Sequence, residues 1–437
     1  MADIKQLARR IFHETLAAID IPAAMNRKLQ CDAHFLSLDK FAIDLAAFSR
    51  VCVVAIGKAA HAMVDGLTGI SPSAFFLEGV VCAPVAPAKQ LTGFRYFVGG
   101  HPTPNAESWS AAESILALLR RTDERTLIFF LLSGGGSALV ELPLDPSQTL
   151  DDVQQLYRAL VTCGASIDEI NTIRKHLSAV KGGRLAAAAP AATKVTLAVS
   201  DVPAGRESAL ASGPTVPDPT TIDDFHRIVA EFRLSEKFSP MLRQWLDSGN
   251  PPETPKGGHP AFANAHFSLL LGVDDLFHPA HRAAEARGCV TCCDNTTDDW
   301  PVERAAENLL AQLGDLRRAH PNQRVALIAD GELSSPVTGS GLGGRNSAFV
   351  LACVERIAGQ RIAVLSAGTD GMDGNSPAAG SVADGDSLGR AKALGLDPAA
   401  AFRNNDAYNF FARLDDAIVT GPTGANLRDL RVLIAEP

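Results

Sequence analysis

Apolar runs rich in β-branched residues alternate along this chain with stretches of helical periodicity. "RVCVVAIGKAAHAMVDGL" reads as strand, glycine turn and helix. "LEGVVCAPV" is a strand, "ESWSAAESILALLRRT" a helix, and "RTLIFFLLSGGGS" a strand that runs into three consecutive glycines. Two helical segments follow, "TLDDVQQLYRALVTCG" with Thr149 as N-cap and "SIDEINTIRKHLSAVKGGRLAAAA", and then the strand "KVTLAVSDVP". Beyond the Pro/Gly-rich stretch 247–260, "DSGNPPETPKGGHP", the alternation restarts with "FSLLLGV" and continues to "RIAVLSAGTDG". Such alternation predicts a largely parallel sheet covered on both faces. The expected architecture is α/β: two three-layer α/β/α domains with largely parallel, Rossmann-like sheets and a cleft between them. The first spans residues 1–245 and the second 246–437, with 247–260 as the linker. The tail "AIVTGPTGANLRDLRVLIAE" reads as two strands around a Gly-rich turn, and from about residue 415 it is a candidate to pack back on the first domain. Ile4, Leu7, Ile11, Leu16 and Ile19 make the N-terminus an amphipathic helix.

A length of 437 residues exceeds what one ordinary core supports, in keeping with two domains. Lys and Arg number 40 against 49 Asp and Glu, a formal charge of −9. That balance argues against nucleic acid or an anionic membrane as partner, so an anionic ligand must be held by a local basic cluster. No apolar stretch reaches membrane-spanning length without polar interruption, and Asp3, Glu14 and Asp20 argue against a transit segment. The expectation is a cytoplasmic protein. Cys52, Cys82 and Cys353 sit in apolar runs as small hydrophobes. Cys289 and Cys292 form a CxxC beside Cys293, but no second pair follows at zinc spacing, so these too are expected to be buried strand thiols.

In open α/β sheets ligands bind beyond the C-terminal ends of strands. Five groups stand at such ends: Gly57-Lys58; Ser133, Gly134, Gly135, Gly136 and Ser137; Ser200-Asp201; Asp330 and Glu332; and Asp370 with Asp373. Lys58, directly after a strand and a glycine, aims a point charge at the crevice, unless it is a surface lysine at a helix start. The glycine triplet offers backbone N–H groups to an anion. The same residues fit a tight βα turn or a nucleophile elbow at Ser137, although the closing glycine of G-x-S-x-G is missing. "NTIRKHLSAVKGGRLA" gathers Arg174, Lys175, His176, Lys181 and Arg184. On a helix Arg174, Ser178 and Lys181 share a face while Lys175 and His176 turn away. The glycines before Arg184 let the backbone approach a ligand between two cations. "GSGLGGRN" (339–346) formally contains G-x-G-x-x-G, but that fingerprint needs its first glycine directly after the strand, and "GELSSPVT" intervenes. It is expected instead to be a flexible loop that delivers Arg345 to the cleft. Neither a Walker motif nor the protein-kinase signature set occurs.

"GHPTPN", "LLSGGGSALVELP", "INTIRKHLSAVKGGRLA", "SDVPAGRESALASGPTVPDPTT", "GLGGRN", "AGTDGMDG", "RNNDAYNFF" and "TGPTGANLRDL" together resemble the class-II glycerate 2-kinases, in order and from about residue 50 to the end. Members carry an N-terminal glycerate-kinase domain and a C-terminal MOFRL domain. The resemblance implies ATP- and Mg²⁺-dependent phosphorylation of D-glycerate to 2-phosphoglycerate, with Lys58 and Arg345 as the catalytic pair. The Ser133–Ser137 loop would then hold an ATP phosphate or the glycerate carboxylate, and Lys181 and Arg184 the carboxylate. One or two of Asp201, Glu332, Asp370 and Asp373 would ligate Mg²⁺. Three departures stand out. Ala204-Gly-Arg206-Glu207 replaces an aspartate-rich stretch, Asn105 stands where aspartate is common, and "GGRNSA" lacks the amide and carboxylate that often follow its Asn. Related chains are also labelled hydroxypyruvate reductase, which makes NAD(P)H-dependent reduction the alternative. A serine hydrolase and a non-catalytic sugar-acid binder are the other classes, and homo-oligomeric assembly is left open.

Overall fold

The structure, a computed structural model, describes residues 2–31, 34–38, 41–70, 76–200, 202, 205–249, 251–424 and 426–437. It divides into two compact units, Ile21–Leu271 and Met1–Asp20 with Gly272–Pro437.

In the unit 21–271, helix Ile21–Lys28 leads into a small antiparallel sheet of β1 (Leu29–Cys31), β2 (Phe35–Leu38) and β3 (Phe41–Asp44). Its main sheet contains β4 (Arg50–Ile56), β5 (Leu77–Ala83), β6 (Phe94–Val98), β7 (Thr126–Ser133), β8 (Thr193–Val199) and β9 (Ala265–Leu271). The order is β6-β5-β4-β7-β8-β9 and every pair is parallel, as the unbroken apolar runs predict. Val54, Ile56, Ile128, Phe130 and Leu132 pack against Ala111, Ile115 and Leu119 of helix Ala106–Leu119. Each large apolar side chain buried there contributes about 1.5–3 kcal/mol. The chain builds outward from β4 through β5 to β6, then returns to β4's other side with β7. The C-terminal ends of β4 and β7 therefore flank the topological switch point, where such sheets bind ligands.

The expected boundary between 245 and 246 moves, and residues 1–20, expected in the first domain, belong to the second unit. β9 pairs with β8, so "FSLLLGV" completes the first sheet and the division falls at 271/272, not at 245/246. The stretch 247–260 is therefore no linker. Arg184 Nη2 donates to the Pro252 carbonyl at 3.1 Å, Thr254 Oγ1 to Asp218 at 2.9 Å, and Glu253 pairs with His176 at 3.2 Å. Its prolines and glycines shape a strap pinned by polar side chains.

The second unit holds β10 (Cys289–Asp294), β11 (Arg324–Asp330), β12 (Ile362–Gly368), β13 (Gly380–Asp384), β14 (Ala417–Ile418) and β15 (Asp429–Ala435), in the order β10-β11-β15-β12-β13-β14. Only β10 and β11 pair in parallel; the other four pairings are antiparallel. This corrects the expectation of a largely parallel sheet here. The physical reason is the tail: β15 inserts antiparallel between β11 and β12 instead of packing on the first domain. Its alternate residues serve the two faces. Leu433 joins helices Val302–Ala319 and Arg345–Val354 in one core. Leu430, Val432 and Ile434 meet Ile4, Leu7, Ile11 and Phe12 of the amphipathic helix Ala2–Ala18 on the other. Lys5 pins that helix through Asp416 at 2.9 Å. No described helix is long and apolar enough to cross a membrane. All eight cysteines are free; Cys289 is buried, but Cys292 and Cys293 lie exposed on the edge strand β10, against expectation.

Candidate functional site

Because β4 and β7 are neighbours, their terminal loops are laced together. Gly57 has φ +127°, and a Cβ there would lie 2.1 Å from Ser133 Oγ, so only glycine fits. Lys58 N–H donates to the Gly134 carbonyl at 3.0 Å and Ala59 N–H to Ser133 Oγ at 2.9 Å. The Ser133 hydroxyl is thus a buried brace, not a ligand contact. Gly135, at φ +83°, turns the chain into the short helix Gly136–Leu139. Among the described residues the amides of Gly135, Gly136 and Ser137 donate to no partner. They form a small concavity of N–H dipoles of the kind that suits an anion.

Three cationic or cationisable side chains gather at this loop. The position a Gly135 Cβ would take is 3.3 Å from the His101 ring and 3.6 Å from Lys58 Cγ. The Arg174 guanidinium lies 4.6 Å over the Tyr157 ring, and its buried Nε has no hydrogen-bond partner among the described residues. Desolvation, then the charges of Lys58 and Arg174, hold the His101 imidazole below its ordinary pKa. His101 and Arg174 are therefore site residues that the sequence did not single out as binding groups. "GHPTPN" and "NTIRKHLS" carried the signal, but only the fold brings them beside Gly135.

Behind the loop lies a buried network centred on Glu141. Lys181 Nζ is 2.6 Å from Glu141 Oε2 and donates to the Val140 carbonyl at 3.2 Å; Ser178 Oγ donates to Glu141 Oε1 at 2.6 Å. The Tyr157 hydroxyl lies 2.6 Å from Glu141 Oε2 and 2.7 Å from the Ser137 carbonyl, its single proton serving one at a time. Ser137 Oγ meets Ser212 Oγ at 2.8 Å, and Ser212 reaches Asn171 at 3.2 Å. Lys181 is 1 % exposed, and burial lowers its pKa against the pull of Glu141. A carboxylate-binding role for Lys181 is thus corrected: its charge is matched by Glu141, and it stiffens the loop from beneath. Arg184 is corrected too. It lines a separate pocket of about 720 Å³ with Arg120, Glu253, Lys256 and His259, and no residue of the glycine loop reaches that pocket. Nor do Lys175 and His176 turn outward. The helix ends at Leu177, and both are buried, Lys175 against Asp218 at 3.0 Å and His176 against Glu253.

In the second unit Arg345 is the first residue of its helix. Its Nε is 2.5 Å from Asp429 Oδ2, and its terminal nitrogens meet Glu332 at 2.9 and 3.0 Å. Burial opposes its charge, but Asp429 and Glu332 outweigh it and raise its pKa, so the guanidinium is fixed and permanently ionised. Asp373 accepts the N–H groups of Asn346 (2.9 Å) and Ser347 (2.8 Å) and so caps the Arg345 helix. Burial, opposed by those bonds, raises Asp373 to about 6. As metal ligands, Glu332 and Asp373 are corrected: their oxygens already serve Arg345 and the helix amides. Asp370 Oδ1 accepts Met372 N–H at 3.0 Å, and Asp201 lies outside the described residues. Among the described residues no group of three or more His, Cys, Asp or Glu side chains is arranged to hold a metal ion. Beside Arg345's carboxylates, Asp330 is fully buried. Among the described residues neither of its oxygens has a hydrogen-bond partner; Arg428 Nη1 forms a longer ion pair with its Oδ2 at 3.7 Å, and Arg431 donates to the Asp330 and Gly331 carbonyls.

The G-x-G-x-x-G stretch is not a flexible arm. Gly339 N–H donates to Asn405 Oδ1 at 2.7 Å, Gly341 N–H to the Asn404 carbonyl at 2.9 Å, Leu342 N–H to Asp406 at 3.0 Å and Gly343 N–H to Asn375 at 2.8 Å. The amides a pyrophosphate would need are occupied by the "RNND" turn and by Asn375.

Two family models match the chain, "Domain of unknown function (DUF4147)" over residues 7–247 and "MOFRL family" over 325–429. It is 35 % identical over 385 residues to a D-glycerate 2-kinase of Thermotoga maritima, covering 87 % of this chain and 89 % of that one. It is 34 % identical over 435 residues to a protein of Agrobacterium vitis named putative hydroxypyruvate reductase, covering 98 % and 94 %. The crystal structure of a glycerate kinase from Thermotoga maritima superposes over 100 % of both chains, with a TM-score of 0.85 at 31 % identity. With both halves matched in order and the whole fold shared, this chain is an enzyme of the two-domain glycerate 2-kinase family.

Proposed function

We propose that this enzyme transfers the terminal phosphoryl group of ATP to the 2-hydroxyl of D-glycerate, with Mg²⁺, in the cytoplasm. The observation that carries it is the glycine loop: unpartnered amides of Gly135, Gly136 and Ser137 with Lys58, His101 and Arg174 around them. Phosphoryl transfer asks for alignment and charge neutralisation more than for covalent chemistry, and this loop offers both. The amides and Lys58 bind the phosphoryl oxygens, and Arg174, with an unsatisfied Nε, is the group assigned to the glycerate carboxylate in place of Lys181 and Arg184. Arg345 is the second catalytic cation, held rigid by Asp429 and Glu332 so that little ordering remains to be done during reaction. The residues fit a nucleotide phosphate, and they fit Mg²⁺ in the limited sense that this ion needs only one or two carboxylates beside phosphates and water. Asp370 and Asp201 are the candidates left for it. Bound Mg²⁺ would supply charge neutralisation to the phosphates.

Incubation with ATP, Mg²⁺ and D-glycerate, followed by phosphorus NMR, tests the proposal. The expected product is 2-phosphoglycerate; 3-phosphoglycerate would overturn the regiochemistry, and unchanged ATP the kinase. NADH oxidation by hydroxypyruvate without ATP would establish the reductase instead, against the occupied amides of the 339–343 loop.

A further inference from the structure

Phosphorylating an alcohol releases a proton, and a positioned base speeds the step. Of the side chains that meet at Gly135, Lys58 and Arg174 are donors only when charged. His101 differs. Neither ring nitrogen has a hydrogen-bond partner among the described residues, and Nε2 lies 3.5 Å from the position a Gly135 Cβ would take. His101 is exposed to solvent as a residue, which gives an acquired proton a way out.

The loop that carries His101 is clamped at both ends. Gly99 N–H donates to the Ala83 carbonyl at 3.0 Å, and a Cβ on Gly99 would lie 2.6 Å from the Leu139 carbonyl oxygen, so the strand end is drawn against the glycine-loop helix. Gly100 N–H donates to Ser108 Oγ at 2.9 Å. Asn105 caps helix Ala106–Leu119 through Ser108 N–H at 2.8 Å, and Gln154 holds the Pro104 carbonyl at 2.8 Å. A histidine on so fixed a loop is a positioned group.

We infer that His101 is the general base of the reaction, resting on the kinase assignment above. Its ring nitrogen takes the acceptor's hydroxyl proton as the glycerate oxygen bonds to phosphorus and the bond from phosphorus to the ADP oxygen breaks. The imidazolium then passes the proton to solvent. The charged groups that face the ring are Lys58, from the loop after β4, and Arg174, from helix Ile167–Leu177; both favour the neutral, accepting form.

The test compares wild type, His101→Gln and His101→Ala by the pH dependence of kcat/KM for D-glycerate with ATP and Mg²⁺. Wild-type activity should fall on the acid side with an apparent pKa below the usual histidine value of about 6.5. His101→Gln should lose on the order of 10²-fold or more in kcat with little change in KM for ATP, and the acid limb should vanish. Added imidazole should partly restore His101→Ala, an effect a purely structural role would not produce. A His101→Gln enzyme within about threefold of wild type that keeps the acid limb, or an Ala variant deaf to imidazole, would overturn the base assignment. Absence of phosphorylation by wild type itself would instead overturn the kinase proposal.

Discussion

Asp330→Asn should stabilise the second unit, and by an amount that depends on pH. Asp330 ends β11, has no exposure and leaves both carboxylate oxygens without a hydrogen bond. Desolvation raises its pKa from 3.8 to about 6, even though Arg428 and Arg431 pull the other way. The folded state therefore holds this proton more tightly than the unfolded chain does. Stability falls as pH rises from the unfolded to the folded value, and the full penalty is present above it. A separation of about two pH units corresponds to roughly 3 kcal/mol at pH 8 and to less than about 1 kcal/mol at pH 4. Asparagine carries no charge at either pH, so its advantage should follow that difference, with 3 kcal/mol as the ceiling because its amide must still settle beside two arginines. The measurement is urea unfolding at pH 4.5 and 8, followed by fluorescence of Trp300, the one tryptophan of this unit, in a background where Trp109 and Trp245 are phenylalanine. A gain that does not grow from pH 4.5 to pH 8, or a loss at pH 8, would refute the claim that burial costs the Asp330 carboxylate more than Arg428 and Arg431 return.

Lys58→Ala and Arg345→Ala should each lower kcat on the order of 10²-fold or more while unfolding midpoints stay within error; near-normal turnover removes that residue from the chemistry. Lys181→Ala should cost about 3–5 kcal/mol in urea unfolding, because it strands the buried Glu141 carboxylate; a rise in KM for glycerate at unchanged stability would restore Lys181 as a ligand group. Gly136→Ala places a Cβ 2.7 Å from that of Ala211, so it should cost about 1–3 kcal/mol and depress activity without changing any charge. Wild-type activity would contradict the close approach.

Much of the fold was written in local pattern. Unbroken apolar runs ending in glycine mark β4 and β7 as buried parallel strands, and the same pattern names Lys58 and residues 133–137 as their terminal loops. What local pattern does not contain is strand order. "RVLIAE" has the composition of any buried strand, and its insertion antiparallel between β11 and β12 is decided by which neighbours complete its two faces, Leu433 on one and Val432 with Ile434 on the other. The strap 247–260 misled for a similar reason. Proline and glycine signal irregular backbone, and irregular backbone is a linker only if no side chains hold it; His176, Asp218 and Arg184, up to 77 residues away along the chain, hold this one.

The same physics explains which cations were legible as ligand groups. A basic residue read from sequence is a charge without a partner, so Lys181 and Arg184 after their glycines looked available while His101 did not. The fold supplies the partners. Glu141, 40 residues from Lys181, neutralises it and turns it into a brace for Tyr157 and the Ser137 carbonyl, and Asp429, 84 residues from Arg345, fixes that guanidinium without burying it completely. Charges matched inside the protein give rigidity, and the Gly135, Gly136 and Ser137 amides with the Arg174 Nε, which have no hydrogen-bond partner among the described residues, have interaction energy still to offer a ligand. Sequence spacing names the candidates of both kinds; only the placement of distant carboxylates sorts them. That sorting leaves Lys58, His101 and Arg174 facing a loop of unpartnered amides, and Lys181 behind it.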